Sequence, residues 1–448
     1  MSKLYSIFHS MGNTSTRSSP FELMMKAKRE EIQSKRCIPG KASDFYFFCH
    51  DGKLDCVRQI LDAPDSPSIE TLNALQPNGS TALHAAVFYN HIEIVKILLE
   101  RKCPQTTLNR FGNIAYDESK TTEMRQLFNR SDASERFHDT NTTHSREMYV
   151  ASEHYDNTST NVRFDYVHEF QSDNEISEHL INQQTLAMWL KFYTWFTKKF
   201  RNYLERDEYH IDAFDLDKHA DFQVFLQHNV SNLNNYQFTM NLISEAQNSN
   251  SLEPLIKLYT SEEANMYNSL NKHLASSSTD SHMGPHLCDR FVMEFFMRRD
   301  ELKRRAYTGI AYRGITLSIN ELDIYKRAVR NEAQGVLNFK SFTSVSRDPM
   351  IALQFATKYP PKENEKTVLF VFEIYAATPT VFSIEDISYF PHEREVLILP
   401  GSLFIIDSVE DNLSMNITTI HLTHWEVPVR FLTKIHQTFR CAKRSFLS

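Results

Sequence analysis

Residues 79–86 read Gly-Ser-Thr-Ala-Leu-His-Ala-Ala, and residues 90–99 read Asn-His-Ile-Glu-Ile-Val-Lys-Ile-Leu-Leu. The glycine returns at Gly112, in Arg110-Phe111-Gly112-Asn113-Ile114-Ala115-Tyr116-Asp117, one period of 33 residues after Gly79. An earlier partial copy runs from Gly52 to Leu61. From Gly52 to Asn90 is 38 residues, so the first link carries five extra, placed near Pro64 and Pro67. A repeat of this length is a unit that stacks, each copy burying its apolar face on the next. Thr81 is placed to cap a first helix. Ala85 and Ala86 are small enough for neighbouring helices to approach, and Ile94, Val95 and Leu98 stripe a second helix.

These residues resemble ankyrin repeats, whose signature is T-P-L-H-x-A followed by a second helix. Roughly three repeats are needed for a stable stack, and residues 41–130 hold a minimal set with atypical ends. The face of such a stack implies a protein partner. It serves equally as a structural cap on a neighbouring domain.

Around the repeats, residues 1–40 are read as a disordered tail, residues 131–180 as a polar linker or insert, and residues 181–246 as a helical region of unknown role. In that region Leu186, Trp189, Leu190, Tyr193 and Phe196 fall at helical spacing. Met11-Gly12-Asn13-Thr14-Ser15-Thr16 fits a myristoylation pattern only if translation starts at Met11. Two sequons, at Asn141 and Asn157, are idle without a secretory signal.

From about residue 247 to 430 the chain reads as one compact domain. Leu252, Leu255, Ile256 and Tyr259 stripe one helix, and Tyr267, Leu270 and Leu274 a second that begins after Thr260/Ser261. A third is expected over 291–303. Beyond Tyr307 short strands are predicted at 310–312, 336–341, 368–375, 380–384, 396–399, 403–406 and 416–422. One helix interrupts them, capped by Asp348 with Pro349 in its first turn. Helices followed by strands give an α+β class.

A net charge of −7 excludes broad electrostatic binding of nucleic acid. No stretch approaches the about 20 apolar residues of a membrane span. The first residues lack the apolar core of a secretory signal, so a cytoplasmic setting is expected. The six cysteines contain no CxxC and read as reduced thiols, with Cys49, Cys56 and Cys103 buried in helical patterns. His282, His286 and Cys288 lie together without an obvious fourth ligand, a weak metal pattern. No P-loop or GxGxxG occurs, so a dinucleotide would not be held in a Rossmann manner.

Three short segments carry chemistry. In Ala311-Tyr312-Arg313-Gly314, a strand-end guanidinium can fork onto a phosphate while glycine lets the backbone approach a ligand. In Phe342-Thr343-Ser344-Val345-Ser346-Arg347-Asp348-Pro349, hydroxyls precede a capped helix; by themselves they are equally caps. In residues 390–401, FPHEREVLILPG, Glu393 and Glu395 are expected to open a strand with both carboxylates on one face, about 6–7 Å apart along it. Spacing alone says little, because Glu363-Asn364-Glu365 repeats it in what reads as a solvated loop.

In that order, the three segments resemble the arginine-Ser-Glu class of mono-ADP-ribosyltransferases across residues 250–420, with Tyr259-Thr260 and Tyr267 to Asn271 similar to that family's opening helices. The resemblance implies an ADP-ribosyltransferase-type split β-sandwich. It also implies NAD as co-substrate, no metal, and an arginine-bearing protein acceptor. Arg313 would hold the NAD phosphates and Gly314 would present backbone groups to the nicotinamide amide. Ser344 would order the NAD site and support Glu395, with Ser346 closing the motif; Val345 stands where the family usually has Thr. Tyr389 and Phe390 would recognise the acceptor. Glu395 would stabilise the ribose cation, and Glu393 would align and deprotonate the guanidinium. An NAD glycohydrolase on the same scaffold, and an ankyrin interaction protein with an inactive transferase domain, remain as alternatives.

Overall fold

The computed structural model describes residues 18–34, 40–130, 167–170, 220–276 and 291–425, apart from short stretches within the last two ranges. The Met11 segment, both sequons, the Trp189 helix, the His282–Cys288 cluster and Cys37, Cys288 and Cys441 lie outside them. The chain divides into two compact units. One begins at Pro20, continues through the repeats, and includes a distant segment, Ser383–Glu395.

Its helices pair as the repeat predicts: Asp44–His50 with Leu54–Leu61, then Ala82–Phe88 with Ile92–Glu100. Gly52, Gly79 and Gly112 all take left-handed backbone, with φ of 73°, 75° and 80°. Thr81 caps the second pair, its hydroxyl oxygen accepting the His84 N–H at 3.3 Å. His84 Nε2 in turn meets the Asn113 carbonyl at 3.0 Å, one repeat further on. Ile94, Val95 and Leu98 are buried with Leu83, Ala86 and Val57 in one core. The third copy is shorter, a 3-10 turn Ala115–Glu118 and a helix Thr122–Gln126. Cys49 and Cys103 are buried, and burial pushes the Cys49 thiol up to about 12. Cys56 is only half-buried.

The tail reading of residues 1–40 is corrected over Pro20–Ser34, which is a helix. Phe21 and Met25 are buried there against Leu108. Met24 and Ile32 of the same helix are partly buried against this cluster.

The second unit is an α+β domain. Among the described residues its strands are β1 Val167–Phe170, β2 Gly309–Ser318, β3 Gln334–Asn338, β4 Thr343–Ser346, β5 Glu365–Ile374, β6 Val381–Ser383, β7 Glu395–Ile398, β8 Leu403–Asn412 and β9 Ile417–His424, the end residues Ser383 and Glu395 being counted with the other unit. They are ordered β1-β3-β8-β9-β5-β2-β4-β7-β6. β5 is central, parallel to β9 and antiparallel to β2. It reads as a continuous apolar run because both its faces are buried. Val368, Phe370 and Phe372 enter the main core, while Leu369 and Val371 pack with Ala352 and Leu353 of the helix Pro349–Thr357. Each fully buried side chain of this size contributes about 1.5–3 kcal/mol. β2 meets β4 at Tyr312 opposite Ser346. The opening helices Glu253–Thr260 and Met266–Ser276 bury Leu255, Ile256, Tyr259, Tyr267, Leu270 and Leu274 as the spacing predicts.

Several expectations change. Two helices interrupt the strands, the additional one being Ile319–Arg330. Its signal is a capping box: Ser318 Oγ accepts the Glu321 N–H at 3.3 Å, and Glu321 accepts the Ser318 N–H at 2.8 Å. The helix predicted over 291–303 is present but broken: the described residues of 291–295 are helical, a turn falls at Arg298, and a second helix runs Arg299–Arg304. β1 falls inside the stretch read as linker or insert, and pairs antiparallel with β3. A backbone that finds a sheet edge forms a strand even where its own composition is polar. The domain expected to run unbroken from 247 to 430 is interrupted, because Ser383–Glu395 belongs to the other unit.

Candidate functional site

The residues singled out from sequence fall into two groups. In the α+β unit, Arg313 sits mid-strand on β2 and is buried to 4% exposure. Its Nη1 donates to the Ser344 carbonyl at 2.9 Å, joining β2 to β4. Ser344 is buried, and its hydroxyl has no hydrogen-bond partner among the described residues. A buried hydroxyl without a partner costs about 1–3 kcal/mol, which makes it an atom suited to a ligand. Ser346 acts locally. Its hydroxyl accepts the Asp348 N–H at 3.0 Å, and Asp348 caps the following helix by accepting the Met350 N–H at 2.9 Å. On the opening helices, Asn271 Nδ2 donates to the Tyr259 hydroxyl at 3.1 Å.

Gly314 lies against the helix Pro349–Thr357. A Cβ there would come 1.9 Å from the Ala352 carbonyl oxygen and 2.7 Å from Ala356 Cβ. This glycine is therefore required by close packing of strand and helix, whatever else its backbone does.

The second group lies in Ser383–Glu395. Glu393 does not sit on the strand. Pro391, in the first turn, seeds a 3-10 turn Pro391–Glu393, which Arg394 ends in left-handed backbone at φ 49°. β7 begins only at Glu395. The expectation of two carboxylates on one strand face is thus overturned: a turn and a backbone reversal separate them. Glu395 is 3% exposed. Its carbonyl accepts the Ile384 N–H at 3.0 Å and the Ser383 hydroxyl at 3.4 Å. β7 neighbours β4, the strand of Ser344.

Glu393 is gripped by an arginine. Arg130 Nε and Nη2 donate to its two carboxylate oxygens at 2.9 and 3.0 Å. The same guanidinium lies 3.8 Å from the centre of the Phe390 ring. Side-chain exposures are 6% for Arg130 and 8% for Glu393, so the pair is nearly dry. The sequence reading missed Arg130, since no motif marks an arginine 263 residues away from its partner. Tyr389 is half-buried, and Ser388 holds the loop by accepting the Phe390 N–H at 3.1 Å. Lys28 lies 4.0 Å from Asp386 at the loop's other end.

His392 stacks on Tyr116, ring centres 4.6 Å apart. Burial, and the nearby Arg130 charge, hold its imidazole down at about 4 against an opposing pull from Glu393. The folded value lies below the unfolded value of about 6.5, so the unfolded chain binds the extra proton. The contribution is full above about pH 6.5 and is lost as pH falls toward 4. It amounts to about 3 kcal/mol on this shift. Urea unfolding of this unit at pH 7 and pH 4.5 should give a steeper acid loss for the wild type than for His392→Gln. Equal losses would refute it.

Among the described residues, no group of three or more His, Cys, Asp or Glu is placed to hold a metal, and no helix is long and apolar enough to cross a membrane.

Residues 28–109 match the family model for ankyrin repeats, in three copies. This part of the chain is an ankyrin-repeat stack. Over 51 residues the chain is 49% identical to the ankyrin repeat-containing protein P1E11.10 of Schizosaccharomyces pombe. The match covers 11% of this chain and 22% of the length of that curated relative. Among solved structures, the chain is similar to Vis toxin, an ADP-ribosyltransferase from Vibrio splendidus, at 24% identity and a TM-score of 0.30. That alignment covers 46% of this chain and 91% of the toxin. It is also similar to the ADP-ribosyltransferase HopU1 of Pseudomonas syringae pv. Tomato DC3000, at 16% identity and 0.33, covering 46% and 97%.

Proposed function

We propose that this chain transfers ADP-ribose from NAD to arginine side chains of proteins, releasing nicotinamide. The observation that carries the reading is the two-oxygen fork of Glu393 on a guanidinium, over the face of Phe390. A buried carboxylate beside an aromatic ring is a receptor for the planar cation of arginine. It lies two residues from Glu395, in the same ordered set of segments as Arg313 and Ser344.

In this reading Arg313 neutralises NAD phosphate charge, and the unpartnered Ser344 hydroxyl meets the dinucleotide. The bond between ribose C1′ and nicotinamide breaks, and nicotinamide leaves neutral with the bonding pair. Glu395 stabilises the cationic ribose left behind. A guanidinium is protonated to beyond about pH 12 and is a poor nucleophile. Glu393 aligns it and accepts the proton that its nitrogen loses on bonding to C1′. The acceptor is an arginine-bearing protein. The ankyrin repeats are a surface for a protein partner, and the setting is cytoplasmic.

A second reading, NAD glycohydrolase, is favoured by one observation: Glu393 already holds an arginine of its own chain, which leaves water as the ready acceptor.

The test supplies labelled NAD and agmatine to wild type and Glu393→Gln. Wild type should form ADP-ribosyl-agmatine. Glu393→Gln should still cleave NAD while transfer falls about 10²-fold, the size of effect expected for a lost general base. Undiminished transfer by Glu393→Gln would remove arginine specificity from the proposal.

A further inference from the structure

We propose that Arg130 is an internal occupant of the acceptor seat, an arginine built into the chain that keeps external guanidinium groups off Glu393. The inference rests on the reading of Glu393 and Phe390 as the place where an acceptor arginine binds.

Three features that such a seat must offer are all engaged by Arg130. The carboxylate is taken by both oxygens, at 2.9 and 3.0 Å. The aromatic face is covered, with the guanidinium carbon 3.8 Å from the Phe390 centroid. Water is excluded, since both side chains are more than nine-tenths buried. A surface ion pair chosen only for stability needs none of this geometry. Arg130 also follows directly on the last repeat: Phe128, two residues before it, is buried in the ankyrin core and its ring lies 6.4 Å from that of His392. The stack therefore delivers Arg130 to the loop from a fixed base. Being part of the same chain, it competes at a high effective concentration.

Competition of this kind has a simple consequence. An external guanidinium binds only the fraction of molecules in which the seat is open, so its apparent affinity is reduced by that fraction. Removing Arg130 leaves a buried carboxylate that a soluble guanidinium can satisfy. A residue that merely shaped the loop would behave the other way, because its loss would damage the seat.

The experiment measures agmatine binding by calorimetry, and the ratio of transfer to NAD hydrolysis, for the full-length wild type, Arg130→Gln and Arg130→Gln/Glu393→Gln. Arg130→Gln should bind agmatine about tenfold tighter or more, with a lower agmatine KM and a higher transfer ratio. The double variant should lose that gain. Should Arg130→Gln fail to fold, Arg130→Lys keeps the charge without the fork and carries the same test, with the same direction expected. Agmatine binding no tighter than wild type overturns the proposal. ADP-ribose found on Arg130 itself by mass spectrometry also overturns it, making that arginine a substrate. Tighter binding with no NAD cleavage in any variant leaves the internal occupant standing and refutes the transferase chemistry instead.

Discussion

Replacing Glu395 with glutamine should lower NAD cleavage by about 10²- to 10³-fold, in transfer and in hydrolysis alike. Glutamine keeps the size and planarity of the side chain and removes only the charge. Glutamine leaves the main-chain anchor of this position in place, since the Glu395 carbonyl accepts from Ile384 N–H at 3.0 Å. What is lost, on the proposed mechanism, is the carboxylate that would stabilise a cationic ribose, and at 3% exposure that charge acts with little screening. The contrast with Glu393→Gln is the informative part. Both carboxylates belong to one short segment, yet one change should stop all cleavage and the other only transfer. NAD consumption measured by loss of substrate, with and without agmatine, separates them. Cleavage by Glu395→Gln at the wild-type rate would sink the catalytic assignment.

The two glutamates were singled out from the sequence, but their geometry was not legible there. A strand rule put both on one face. Pro391 and the left-handed Arg394 instead put Glu393 in a turn and Glu395 on β7. The proline was visible; a non-glycine residue at φ 49° was not, because arginine has no local preference for left-handed backbone. The repeats were the easiest part to read, since Gly79, Thr81, Ala85 and Ala86 each have a local reason to be what they are. The helix Ile319–Arg330 was readable from Ser318 and Glu321, but its signal is masked by the strands on either side. Phe21 and Met25 gave too brief a pattern to lift the helix Pro20–Ser34 out of a polar tail. Arg130 marks the limit. Its meaning lies wholly in a partner 263 residues on, and a single sequence carries no signal for such a pairing.

Gly314 gives the second large effect, and it separates two roles for one residue. Gly314→Ala should destabilise the α+β unit by about 3 kcal/mol or more, at the upper end of overpacking costs. The added methyl would stand 1.9 Å from the Ala352 carbonyl oxygen, a main-chain atom that cannot rotate away. The helix Pro349–Thr357 cannot readily retreat either. Asp348 caps it at 2.9 Å, and Ala352 and Leu353 are packed on Tyr312, Leu369 and Val371. For a domain of this size the loss corresponds to a fall in Tm of about 6–12 °C. Adding Ala356→Gly relieves the 2.7 Å contact and leaves the carbonyl clash, so it should restore little. An unchanged Tm in Gly314→Ala would refute the packing argument. If the glycine served only to present its backbone to nicotinamide, the variant would keep its Tm and show a raised KM for NAD. If packing is what requires it, Tm falls first, and NAD kinetics measured on the molecules still folded at low temperature report how far Arg313, the preceding residue on the strand, is displaced with it.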